Sequence, residues 1–165
     1  KYDNKGNLIE ERRYDTIGEL TQKSFYKYDN KGNLIEERRY GGNTKIDKRG
    51  NPNGKIIPDG RLFFSALKEA YEYDDRGNEI INISNIWSGD KKGRWEKLIK
   101  SESMYDDKGN KIKQISYINL TGEYELDEVY KYEYKFDENE NWIQRITFSE
   151  NKPDSIKERE IKYYD

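Results

Sequence analysis

KYDNKGNLIEERRY occupies residues 1–14, and the same fourteen letters return at residues 27–40. Chance does not give that identity, so a unit of 26 residues has been duplicated. Weaker copies follow at Tyr73-Asp74-Asp75-Arg76-Gly77-Asn78 and Tyr105-Asp106-Asp107-Lys108-Gly109-Asn110. Phe136-Asp137-Glu138-Asn139-Glu140-Asn141 is a diverged copy, and Tyr164-Asp165 reads as the opening of another. The motif starts at positions 2, 28, 73, 105, 136 and 164 are spaced by 26, 45, 32, 31 and 28 residues. The long interval marks an insertion.

Each copy reads as a β-hairpin. Asp-x-(Lys/Arg)-Gly-Asn suits a type I turn followed by a left-handed residue: Asp accepts turn N–H groups, and Gly takes a positive φ at little steric cost. The repeat turn residues are therefore Asp3, Gly6, Asp29, Gly32, Asp74, Gly77, Asp106, Gly109 and Asp137. Glu140 stands where the other copies carry Gly, so that turn differs or carries strain. Return turns are expected at Ile17-Gly18-Glu19, Gly89–Gly93, Thr121-Gly122-Glu123 and Glu150–Pro153.

Between turns the period is two, as in a strand. Tyr26 and Tyr28 share a face, as do Tyr71 and Tyr73; Tyr130, Tyr132, Tyr134 and Phe136 alternate with Lys131, Glu133 and Lys135. An Ile lies two positions past each Asn, at Ile9, Ile35, Ile80, Ile112 and Ile143. The next aligned side chains come three and five residues later; that broken alternation reads as a β-bulge that returns them to the face of the Ile, the alternative being that the Ile lies on the other face. The insertion, residues 41–60, is rich in Gly, Asn, Lys and Pro and reads as an irregular excursion. Leu62–Ala70 fits a strand better than a helical turn, because it runs directly into Tyr71-Glu72-Tyr73-Asp74.

Composition tests whether such a chain folds. Leu, Ile, Val and Phe make up 32 of 165 residues, about 19%, and 39% of the chain is charged. Low hydrophobicity favours disorder mainly when net charge is high, and here the net charge is −2. Fifteen Tyr and three Trp supply further burial area, so a thin aromatic core is expected. No basic excess attracts nucleic acid or an anionic membrane surface, and no apolar run is long enough for a membrane span. No signal-peptide pattern is visible, and the start in mid-motif reads as a trimmed end. The expectation is one all-β domain over residues 1–165: an antiparallel meander of tandem hairpins forming a curved single sheet or an open barrel.

The quoted motifs resemble the YD (RHS-type) repeat, Tyr-Asp-x-x-Gly-Asn followed by an aliphatic strand. They are also similar to the MORN-variant hairpin repeats of bacterial surface proteins. The resemblance covers most of the chain outside residues 41–70. It implies an exported or surface-attached bacterial β-repeat protein, extracellular or on the cell surface. It offers no catalytic residues. Large YD proteins wind many hairpins into a shell; five strong turns are too few for that.

Chemistry is sparse. The chain has no His and no Cys, which removes the commonest general base, zinc ligand and thiol nucleophile. No Gly-x-Ser-x-Gly elbow and no phosphate-binding Gly loop occurs. With 33 acids, some pair at glycosidase spacing exists by chance and says nothing. The turn aspartates do not meet calcium-loop spacing and read as turn caps. The expectation is therefore no enzyme, no cofactor and no metal. Trp87, Trp95 and Trp142 read first as core and second as a platform for sugar rings. Trp87 and Trp95 flank the return turn at residues 88–93. The Glu10-Glu11-Arg12-Arg13 and Glu36-Glu37-Arg38-Arg39 runs read as solvated strand faces with cross-strand ion pairs. The leading function is a structural or protein-interaction repeat whose partners are proteins or neighbouring repeats of its own chain. The alternative is a carbohydrate-binding module.

Overall fold

The computed structural model describes residues 1–41, 44–52, 66–87 and 94–163. It is all-β, with no helix among the described residues. The strands are β1 (Glu10–Tyr14), β2 (Leu20–Tyr28), β3 (Leu34–Gly41), β4 (Ala66–Tyr73), β5 (Glu79–Trp87), β6 (Trp95–Tyr105), β7 (Lys111–Ile118), β8 (Glu125–Phe136), β9 (Trp142–Ser149) and β10 (Lys152–Glu158). They order as they occur in the sequence, β1 to β10. Every resolved pairing is antiparallel, so this is the expected meander. The chain divides into two compact units, Lys1–Lys100 and Ser101–Asp165.

The turn motif does what its residues dictate. The Asp3 carboxylate accepts the N–H of Lys5 at 2.9 Å and of Asn7 at 2.8 Å, while the Asn7 amide donates to its other oxygen at 3.0 Å. The Gly6 N–H donates to the Asp3 carbonyl, and Gly6 sits at φ +87°. The same pattern recurs at Asp29, Asp74 and Asp106. Asp137 keeps the backbone bonds although Glu140 occupies the Gly position at φ 61°, so this turn is conserved in shape and carries the strain in Glu140. The return turn at Ile17-Gly18-Glu19 is the same device, capped by Asp15. Gly122 turns at φ 110°, and Glu150 and Asn151, both at positive φ, make a two-residue turn. The return turn at residues 88–93 lies outside the described residues.

The bulges fall where the spacing places them. Lys27 opposes Glu36 while Tyr28 opposes Leu34, which leaves Ile35 as the extra residue. Ile80 is skipped in the same way between β4 and β5, and Ile143 between β8 and β9. A repeated bond then ties three of the hairpins to an earlier one. The Tyr28 hydroxyl donates to the carbonyl of Leu8 at 3.0 Å, and that of Tyr73 to Leu34 at 2.9 Å. Where Phe136 has lost the hydroxyl, Tyr134 supplies it to Lys111 at 2.9 Å.

Little of this sheet is deeply buried. Among the described residues, Tyr40 and Ala66 are the buried hydrophobic side chains, at 2% and 1% exposure. Stability comes from rows of half-buried side chains on the sheet faces. In the second unit Tyr130, Tyr132, Tyr134 and Phe136 alternate with exposed lysines and a glutamate, as expected. The Arg145 guanidinium lies over Tyr132 at 5.4 Å, and Tyr134 meets Phe136 at 6.1 Å. Strand β10, exposed throughout, carries Lys152, Pro153, Asp154 and Lys157 and a register shift, all devices that blunt a sheet edge.

Leu62–Ala70 reaches the strand state from Ala66 onward; Leu62–Ser65 lie outside the described residues. Residues 53–60 of the insertion lie outside them too. Its described part, residues 44–52, is ordered by a further copy of the motif. Asp47-Lys48-Arg49-Gly50-Asn51 turns with Asp47 capping Arg49 and Asn51, and Ile46 bridges Pro52. Ile46 replaces the expected Tyr, so a reading keyed on Tyr-Asp passes over it.

Candidate functional site

In the first unit the pairing places Glu10, Arg12 and Tyr14 on the same sheet face as Lys23 and Phe25. Glu36, Arg38 and Tyr40 continue that face on β3, and Ala66 and Lys68 on β4. The opposite face is a polar ladder. Tyr26 donates to Glu11, Arg39 bridges Glu37 and Glu69, and Tyr71 donates to Glu69.

The hairpin of residues 44–52 folds onto the first of these faces. Its base is a clamp of two side chains. Arg38 Nη1 donates to the carbonyls of Arg49 at 2.9 Å and Gly50 at 3.2 Å, and the Tyr40 hydroxyl donates to the Gly50 carbonyl. Glu36 holds the other edge of the Arg38 guanidinium, with Nε to Oε1 at 2.9 Å, and Lys27 braces Glu36 at 2.8 Å. Burial works against the Arg38 cation, but the Glu36 carboxylate outweighs it and keeps the guanidinium charged. Burial pushes the Tyr40 phenol up, so it stays a neutral donor. Its ring stands edge-on to Phe25 at 5.9 Å. Gly50 suits this place: its φ is +77°, and a Cβ there falls 2.6 Å from Arg38 Nη1, so the guanidinium has to shift to make room.

The two tryptophans singled out from sequence meet beside this clamp. Trp87 and Trp95 lie 5.3 Å apart at 74°, an edge-to-face pair rather than a flat platform, and both are half-buried. Trp95 Nε1 donates to the Asn51 side-chain oxygen at 3.2 Å, and Lys68 lies over its ring at 5.5 Å. Burial depresses the Lys68 ammonium, with Arg38 and Lys97 adding repulsion. Trp142 belongs to the other unit, where the Arg159 guanidinium covers its ring at 3.9 Å and Tyr134 stands edge-on at 6.3 Å.

Asp3, Asp29, Asp74 and Asp106 spend their oxygens on their own turns, whereas Asp137 Oδ2 accepts from the Tyr163 hydroxyl. The Asn7 N–H foremost, with the Asn7 amide, holds Asp3 below the usual carboxylate range. The Asn78 amide foremost, with the Asn78 N–H, lowers Asp74 as well. Among the described residues no three carboxylates gather at one point. The side chains that hold the 44–52 hairpin are Arg38 and Tyr40, with Asn51 and Lys68 beside them against Trp95. The run Glu36-Glu37-Arg38-Arg39 reads from sequence as a solvated strand face, whereas Arg38 is largely covered, its side chain 18% exposed. The available signal was the complete Asp-x-(Lys/Arg)-Gly-Asn motif at residues 47–51.

No family model matches the chain, and no curated protein matches it. Among solved structures it is similar to a protein of unknown function from Bacteroides fragilis NCTC 9343. That likeness has a TM-score of 0.50 and 14% identity and covers 82% of this chain and 91% of that one. A DUF3836 family protein from Bacteroides vulgatus ATCC 8482 matches with a TM-score of 0.37 and 15% identity over 78% and 98% of the two chains. The first likeness is one of fold alone.

Proposed function

We propose that this chain is a non-catalytic structural and protein-interaction repeat module of a bacterial exported or surface protein. One observation carries the reading. The bonds from Tyr28 to Leu8 and from Tyr73 to Leu34 come from the same motif position, so these hairpins bring the donor that fastens them to an earlier one. A unit of that kind is stabilised mainly by its neighbours. Tyr2 occupies the same motif position and is 69% exposed.

The test is a fusion of an extra copy of residues 1–26 ahead of Lys1. The unfolding midpoint in urea is expected to rise, and Tyr2→Phe, harmless in the parent, is expected to become destabilising in the fusion. An appended copy that stays unfolded, or leaves the midpoint unchanged, overturns the reading. The cell-surface location rests on the resemblance to YD repeats and is checked by protease shaving of intact cells.

A second reading, carbohydrate binding, is favoured by the half-buried Trp87 and Trp95 with the polar groups of Asn51 and Lys68 at their edges. A glycan-array signal lost on Trp87→Ala replaces the first reading with this one.

A further inference from the structure

The clamp that holds the 44–52 hairpin exists twice in this chain. In the duplicated stretch, Lys1, Glu10, Arg12 and Tyr14 correspond to Lys27, Glu36, Arg38 and Tyr40. The bracing is the same in both. Lys1 meets Glu10 at 2.6 Å, Glu10 holds Arg12 Nε at 2.7 Å, and the Tyr14 hydroxyl lies against the Arg12 guanidinium. The occupancy is not. Arg38 and Tyr40 are covered by the hairpin, whereas the Arg12 side chain is 49% exposed and Tyr14 55%. Among the described residues no hairpin lies on the first copy.

We propose that Arg12 and Tyr14 form an open copy of the Arg38–Tyr40 clamp, and that it takes an Asp-x-(Lys/Arg)-Gly-Asn turn from a second copy of this chain. This deepens the reading of the chain as an interaction repeat and rests on it. Three features support the second copy as occupant. The receptor is pre-organised, because Glu10 holds the Nε/Nη2 edge of the Arg12 guanidinium as Glu36 holds that edge of Arg38, so less ordering is lost on binding. The open clamp is continuous with the filled one: Glu10 pairs across Phe25 with Arg38, and Arg12 across Lys23 with Tyr40, all on one face. The ligand chemistry is also known from the filled clamp, two turn carbonyls beside a glycine that leaves room for the guanidinium.

The chain presents this ligand repeatedly, at Lys5-Gly6, Lys31-Gly32, Arg76-Gly77 and Lys108-Gly109, where each glycine has a positive φ. The turn at Asp137 fits the clamp less well, because Glu140 carries a Cβ at the position where Gly50 leaves room for Arg38 Nη1. Topology explains why the first clamp is not filled as the second is. After Tyr14 the chain turns directly into β2 through the Asp15 turn. After Tyr40 it leaves the sheet at Gly41 and returns as the hairpin.

The test uses the whole chain, which has no cysteine, so a single nitroxide label can be placed at Thr16→Cys. Sedimentation velocity is expected to show concentration-dependent self-association. In mixtures of labelled and isotope-enriched chains, the label is expected to broaden the amides of one or more of Gly6, Gly32, Gly77 and Gly109, and not that of Glu140. Arg12→Lys and Tyr14→Phe each weaken association roughly tenfold, the size of one lost hydrogen bond to or from a charged or buried partner. Arg13→Ala, on the opposite face, leaves it unchanged. A chain that stays monomeric to millimolar concentration, or an association indifferent to Arg12→Lys, overturns the inference. Binding of Arg12 and Tyr14 to a foreign protein without self-association overturns it as well. A chain that gains stability from the fused repeat yet remains monomeric loses this inference and keeps the repeat reading.

Discussion

Residues 1–14 and 27–40 are a controlled experiment supplied by the molecule: identical letters, nearly identical local bonds, different fates. Both copies make the Asp-capped turn, and both brace an Arg with a Glu and a Lys. Yet Tyr14 is 55% exposed and Tyr40 is 2% exposed. The difference teaches that the repeat encodes its own hairpin and a latent receptor, while filling the receptor depends on a segment outside the repeat. Burial is a property of what comes back to cover a residue, and no local pattern carries that information.

The sharpest way to break the comparison is to truncate the two tyrosines. Tyr40→Ala removes a buried ring, its contact with Phe25 and its bond to the Gly50 carbonyl, and is expected to cost about 3–4 kcal/mol in urea unfolding. Tyr14→Ala is expected to cost about 0.5 kcal/mol or less, as for other exposed positions. Equal losses at the two positions mean that the hairpin is not what distinguishes the copies.

A smaller effect separates the turns. Gly6→Ala places a Cβ in the left-handed region with open space around it and is expected to cost about 1 kcal/mol. Gly50→Ala adds the collision with the Arg38 guanidinium, so its cost is expected to be about 2 kcal/mol, with faster amide exchange across residues 46–52. An alanine at position 50 no worse than one at position 6 removes the clamp from the account.

The smallest effect is common to both copies and tests what they share. Asp3 is held below the ordinary aspartate value by Asn7; for Asp29, burial acts upward and the Asn33 bonds outweigh it. A lowered folded-state pKa means the unfolded chain binds protons first as pH falls. The caps therefore stabilise fully above the unfolded value of about 3.9, and that contribution is lost as pH drops through the folded value. The urea midpoint is expected to be flat near neutral pH and to decline below about pH 4, with Asp3→Asn and Asp29→Asn each removing a similar part of the decline. A midpoint that rises in acid contradicts the assignment of these carboxylates as turn caps.

Much of the fold was legible because its signals are short-range. The Asp, Gly and Asn of a turn bond to one another within five residues, so the motif predicts its hairpin wherever it occurs, even at Asp137, where Glu140 tolerates the left-handed backbone. The row Tyr130 to Phe136 and the bulges at Ile35, Ile80 and Ile143 were likewise written in alternation and its one-residue breaks. The candidate site was only half legible. Trp87 and Trp95 were marked by residue type, and the structure sets them edge-to-face beside Asn51 and Lys68. Arg38 and Tyr40 carried no mark, because their twins Arg12 and Tyr14 read the same and stand in solvent.

The sequence by itself determined the hairpins, their turns, the meander and the internal bonds of each repeat, since hydrogen-bond geometry and side-chain alternation act over a few neighbouring residues. Only the tertiary structure decided which copy of the Glu-Arg-Tyr clamp closes on a hairpin. That choice depends on residues 44–52 returning across the sheet, and such a long-range contact leaves no trace in the fourteen letters that both copies share.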